Sequence, residues 1–236
     1  MSEPVMDPRF EYSVKQTHIV RPPSQNLATF GVTKVHYYVV TEPVYTDLNP
    51  AKGHPEAVIR DGVVTAERPR VVTPQYLLNT EGFGTEAREF LRHLQHEYGP
   101  YSPGLLYGYK NEPQATEIVS GEPDEVANRI ARRLDEEEKA LAAVIKGVDE
   151  LWDVSLMKFI FELTNHSVQS NMAELQSSGL LETKQGVPND ARRRIDWMIN
   201  EARKGNIDPS DIHKELKRWD LFEEYQDRFF ELFKRR

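Results

Sequence analysis

"TNHSVQSNMAELQSSGLLE", residues 164–182, decides how the second half of this 236-residue chain is read. Val168, Met172 and Leu175 fall at i, i+4 and i+7, which gives a short helix one apolar stripe. Thr164 stands in the capping position before it, and Gly179 stands where a helix ends in the left-handed conformation. Leu180 and Leu181 then return the chain to a core. Upstream, Asp153 is placed to cap a helix carrying Val154, Met157, Phe161 and Leu163. These signals predict two short helices joined by a tight turn at Glu162.

Composition limits what such a unit can do. The formal charge is −8, which argues against a general nucleic-acid binder, because Lys and Arg supply most non-specific affinity for phosphates. Residues 121–189 hold 7 Lys/Arg against 13 Asp/Glu, so the acid excess surrounds the quoted stretch. Any affinity for a duplex must then come from Lys184 and from "ARRR" at 191–194. The chain has no cysteine, which excludes disulfides and thiolate metal sites. It has no apolar run of membrane-spanning length, and the expectation is a soluble, cytoplasmic protein that does not enter a membrane.

Along the chain, residues 1–32 carry three prolines among residues 8–23 and no period, so an extended N-terminal arm is expected. Residues 33–120 read as an α+β region. "KVHYYVVT" is β-branched and aromatic, and Asp61-Gly62 between two apolar runs predicts a hairpin turn. "RVVTPQYLL", "GLLYGYK" and "ATEIVS" add short strands. "TEAREFLRHLQHEY" (85–98) predicts a helix capped by Thr85, with Ala87, Phe90, Leu91, Leu94 and Tyr98 on one face. Residues 121–236 read as helical throughout, with Val126, Ile130, Leu134, Leu141, Val144 and Val148 at helical spacing. Asp208-Pro209 opens a last helical segment that ends in Trp219, Phe222, Tyr225, Phe229, Phe230 and Phe233. The expected fold class is α+β: a small antiparallel sheet with one helix, then an all-helical half built around a core at about 140–200.

"VIKGVDELWDVSLMKFIFELTNHSVQSNMAELQSSGLLE" (144–182) resembles the three-helix core of winged helix-turn-helix regulators. The pattern Val-x3-Leu-x2-Leu-x3-Gly-Leu-Leu/Val appears here as Val168, Met172, Leu175, Gly179, Leu180 and Leu181. The resemblance implies a transcription-regulator-like protein that binds double-stranded DNA. Ser167, Gln169, Ser170 and Asn171 would read the groove, with Lys184, Arg192, Arg193 and Arg194 on phosphates. The aromatic C-terminal helix offers a homodimer seam beside its simpler role of packing on the protein's own core.

No catalytic constellation, cofactor motif or metal site stands out, and a non-enzyme is expected. Two alternatives remain beside DNA binding. One is an interaction or scaffold protein that uses its helical region for partners. The other is an enzyme with a site near the 85–98 helix, resting on Glu89, His93 and His96 at i, i+4 and i+7 and on the Gly82/Gly84 turn.

Overall fold

The computed structural model describes residues 7–44, 55–80 and 84–234. The chain opens with α1 (Pro8–Gln16), β1 (His18–Arg21), β2 (Thr33–Thr41), β3 (Glu56–Ala66), β4 (Arg70–Val72), α2 (Pro74–Leu78) and α3 (Thr85–Tyr98). It continues with β5 (Gly104–Leu106), β6 (Tyr109–Ser120), α4 (Pro123–Glu136), β7 (Ala142–Gly147) and α5 (Trp152–Ser177). Last come β8 (Thr183–Lys184), β9 (Val187–Pro188), α6 (Asn189–Arg203), α7 (Pro209–Arg218) and α8 (Phe222–Phe230). The fold is α+β, and it forms two compact units. Met1–Arg68 and Tyr107–Asn171 make the first; Pro69–Leu106 and Met172–Arg236 make the second. The two units therefore interleave along the chain.

The first unit is a five-stranded sheet in the order β1-β7-β2-β3-β6, with a helix on each face. Period-two alternation explains both faces. Val40, Ala142 and Val144 point to α4 and meet Val126, Ala127, Ile130 and Leu134. Val35, Tyr37, Val39, Ala143 and Ile145 point the other way and meet Leu156, Phe159 and Ile160 of α5. β2 and β7 run parallel and the other pairs antiparallel, so the sheet is mixed rather than antiparallel. The all-helical second half is corrected by β7. "AAVIKG" is apolar at successive positions because a central strand is covered on both sides, and that pattern also fits a helix.

Two more expectations fail for local reasons. The arm at 1–32 contains α1, where the Asp7 carboxylate accepts from Arg9 N at 2.9 Å and Pro8 takes the first helical position, followed by β1 in the sheet. Asp61-Gly62 is not a turn. It lies inside β3, where Asp61 pairs with Ala115 and Gly62 with Pro113 across a bulge. Gly62 is needed because the Tyr37 ring crosses it: a Cβ there would stand 2.5 Å from the Tyr37 hydroxyl and 2.8 Å from the Glu112 carbonyl. That crossing lets Tyr37 donate to Asn111 Oδ1 at 3.0 Å.

The second unit packs α2, α6, α7 and α8 around Tyr76, Ile195, Ile199, Ile212, Leu216, Trp219, Tyr225 and Phe229. Asp208 caps α7 through Ser210 N at 2.7 Å. The aromatic run is thus mostly core, with Phe230 and Phe233 left exposed. α3 forms as expected, but Gly84 rather than Thr85 is the cap residue and none of its residues is buried. Gln185 and Gly186, both at positive φ, turn β8 into β9. Among the described residues, no helix is long and apolar enough to cross a membrane.

Candidate functional site

α5 is one helix of 26 residues, and the turn expected at Glu162 is absent. The stretch contains neither Gly nor Pro, so nothing in it resists helical dihedrals. Thr164 does not cap a new helix. Its hydroxyl donates back to the Ile160 carbonyl at 2.6 Å, and the Ser167 hydroxyl does the same to Leu163 at 2.8 Å. Gly179 ends the helix as its position implied, at φ 65°, with Leu180 N on Leu175 O and Gly179 N on Gln176 O. Those two bonds are a Schellman closure, which Gly permits at no steric cost.

Four residues of this helix were expected to read a groove, and the structure separates them. Ser167 and Asn171 are buried, at 0% and 1% exposure. Ser167 Oγ accepts from Leu27 N at 3.0 Å. Asn171 Nδ2 donates to Leu27 O and Thr29 Oγ1, both at 2.8 Å, and its Oδ1 accepts from the Tyr107 hydroxyl at 2.7 Å. Ser170 Oγ donates to Ser167 O and accepts from Asn26, each at 3.0 Å. These three side chains fasten the loop at 26–29 to the helix, and Ser167 and Asn171 face the protein interior rather than solvent. Gln169 is exposed. The sequence shows only that these residues are small and polar, and a buried polar clamp uses the same types as a groove-reading helix.

The basic residues of the second unit also divide. Lys184 on the β8–β9 hairpin and Arg193 on α6 are exposed. Arg192 bonds Glu224 at 2.6 Å and the Lys184 carbonyl at 3.2 Å. Burial works against its charge, but the Glu224 carboxylate outweighs this and raises the guanidinium above its ordinary value. Arg194 is held below its ordinary value by burial first and by the nearby Arg70 charge second. It stands 3.9 Å from Glu215, a buried carboxylate that also accepts from the Tyr76 hydroxyl at 3.1 Å and the Trp219 indole at 3.3 Å. Arg192 and Arg194 are therefore parts of the unit's own polar network. On α3, His93 is 3.7 Å from Glu97 on an exposed flank, and no group of three metal-ligating side chains occurs among the described residues. Gly82 lies outside them.

What sequence reasoning missed is the outer face of α5. Leu156, Phe159 and Ile160 face the sheet, yet Met157 and Phe161 are 62% and 66% exposed. At 100° per residue, Val154, Met157, Phe161, Thr164, Asn165 and Val168 share one stripe, and none of them is charged. Val154 and Val168 are half-buried. Lys158 borders the stripe, donating to the carbonyls of Val14 and Thr17 at 2.9 Å, with Glu162 3.9 Å from its Nζ. On the other border Tyr109 bonds Thr164 and stacks with Tyr107. Burial raises both phenols, Tyr107 to about 12. The signal was present in "LWDVSLMKFIF", which is apolar on two faces; a helix apolar all round is ordinarily covered all round.

No family model matches the chain, and no curated protein or solved structure matches it either.

Proposed function

We propose that this protein is a non-enzymatic interaction module whose partner covers the outer face of α5. One observation carries the reading: Met157 and Phe161, two large apolar side chains one helical turn apart, stand exposed on an uncharged stripe of a helix whose opposite face is core. Ser167 and Asn171, two of the four polar residues that would have made this helix a DNA reader, are spent on the loop at 26–29. The stripe is flanked by both a cation and an anion, Lys158 and Glu162, as the polar rim of an interface requires. A photo-crosslinking side chain at position 157 tests the reading in cells. Adducts at 157 that exceed those from the exposed control position 169 support it, and equal yields from both contradict it.

A second reading keeps double-stranded DNA as the partner, now through the second unit. The stretch that follows the α5 terminus is a two-stranded hairpin, as a winged resemblance implies, and it presents Lys184 with Arg193 exposed on the next helix. Binding of a duplex library at low salt, lost in the Lys184→Ala/Arg193→Ala double variant, would favour it. Absence of binding at low salt would remove it.

A further inference from the structure

Arg21-Pro22-Pro23-Ser24 carries the chain out of β1, and its two prolines keep that exit extended and stiff. The loop is then fastened twice. Ser24 N donates to the Ala140 carbonyl at 3.0 Å, and Ser167, Ser170 and Asn171 of α5 hold residues 26–29. Between this pinned loop and α5 lies a cleft of about 320 Å³, a size within the roughly 300–1,000 Å³ of small-molecule sites. Its walls are apolar: Ile19 of β1, Pro22 and Pro23 on the loop, Phe159 and Leu163 on α5. Phe159 lies about 160° around the helix from Phe161, so this cleft is separate from the outer stripe.

The polar residues lining the cleft are Asn26, Glu162 and His166, and each presents an acceptor. Asn26 Nδ2 donates to Ser170 Oγ at 3.0 Å, which leaves its Oδ1 unbonded. His166 Nδ1 lies 2.8 Å from the Glu162 carbonyl. A carbonyl only accepts, so Nδ1 carries the proton and the neutral ring offers Nε2 as an acceptor. The Glu162 carboxylate has Lys158 as its nearest cation, at 3.9 Å, beyond hydrogen-bond reach. That ammonium already donates to the Val14 and Thr17 carbonyls at 2.9 Å. Among the described residues, none of the three acceptors receives a hydrogen bond.

We infer that this cleft binds a small organic amine, with an apolar body between the loop and α5 and its ammonium among Asn26, Glu162 and His166. An ammonium brings three donors and one positive charge to three acceptors and one negative charge. A carboxylate or phosphate ligand would bring further acceptors and meet the Glu162 charge. A neutral alcohol would satisfy one acceptor and leave the carboxylate without a counter-charge. The buried clamp at Ser167 and Asn171 acquires a purpose here, since a loop fixed in place keeps a site pre-formed and lowers the ordering cost of binding.

Titration of the full-length protein with 2-phenylethylamine, 2-phenylethanol and phenylacetate, followed by amide proton–nitrogen NMR, tests the inference. The amine should give saturable shifts at Ile19, Asn26, Leu163 and His166. It should bind about tenfold more tightly than the alcohol, the factor set by one charge-assisted hydrogen bond, and phenylacetate should bind more weakly than either. Glu162→Gln should bring the amine level with the alcohol while both still bind. Leu163→Trp should fill the cleft and block every probe with an unchanged circular dichroism spectrum; should that variant fail to fold, Glu162→Gln decides alone. No saturable shift from any probe, or shifts confined to other residues, overturns the site. Equal affinity for amine and alcohol, or an amine preference that survives Glu162→Gln, overturns the ligand class. None of these outcomes depends on what covers the outer stripe.

Discussion

Replacing Asn171 by Ala separates a structural clamp from a reading residue. The side chain is 1% exposed and holds three partners, of which Leu27 O and Thr29 Oγ1 belong to residues that are themselves buried. Truncation leaves both without a partner, and a buried polar group left unsatisfied costs about 1–3 kcal/mol. The Tyr107 hydroxyl is only partly buried and regains water at little cost. Two orphaned groups then give a loss of about 3 kcal/mol, and in a chain of this length about 6–12 °C in Tm. Urea titration followed by circular dichroism measures it, with Gln169→Ala as the exposed neighbour expected within about 0.5 kcal/mol of the parent. A loss below about 1 kcal/mol in Asn171→Ala, or equal losses in both variants, would refute the clamp.

Glu162→Pro tests the continuity of α5. It should cost about 3 kcal/mol or more, since Pro removes one bond of an unbroken helix and clashes with the preceding turn; a neutral result would restore the turn. Gly62→Ala should destabilise by about 1–3 kcal/mol in the same urea assay, because its Cβ meets the Tyr37 hydroxyl and the Glu112 carbonyl. In an ultraviolet pH titration Tyr107 should ionise last among the tyrosines that the fold perturbs. The fold favours its neutral phenol, so that stabilisation is complete below the ordinary value of 10 and is lost as pH rises through about 12. Tyr107→Phe should remove one late-ionising group, and an unchanged titration would contradict the assignment.

Local signals were legible where one neighbour decides the conformation. The α7 cap at Asp208-Pro209, the left-handed stop at Gly179 and the alternation of β2 each follow from a few adjacent residues. Non-local pairing was not legible. β7 inserts between β1 and β2, more than a hundred residues away in sequence, and its uniform apolar run is as good a helix as a strand. Gly62 looked like a turn because Asp-Gly commonly is one, whereas its real reason is the Tyr37 ring on the neighbouring strand. For α5, the hydroxyls of Thr164 and Ser167 are ambiguous in sequence: each can cap a helix or bond back inside one. The exposed stripe was visible as excess apolar residues, but only the buried opposite face shows that Met157 and Phe161 are the surplus ones.

Hydroxyl-radical footprinting of Met157 and Phe161 reaches the central claim most directly. In dilute protein both side chains should oxidise readily, while Met198, buried in the second unit, stays protected. With the partner bound, Met157 and Phe161 should lose most of that reactivity together. If Met157 is already as protected as Met198 in the dilute protein, or reacts equally under every condition, the outer face of α5 is not the interaction surface.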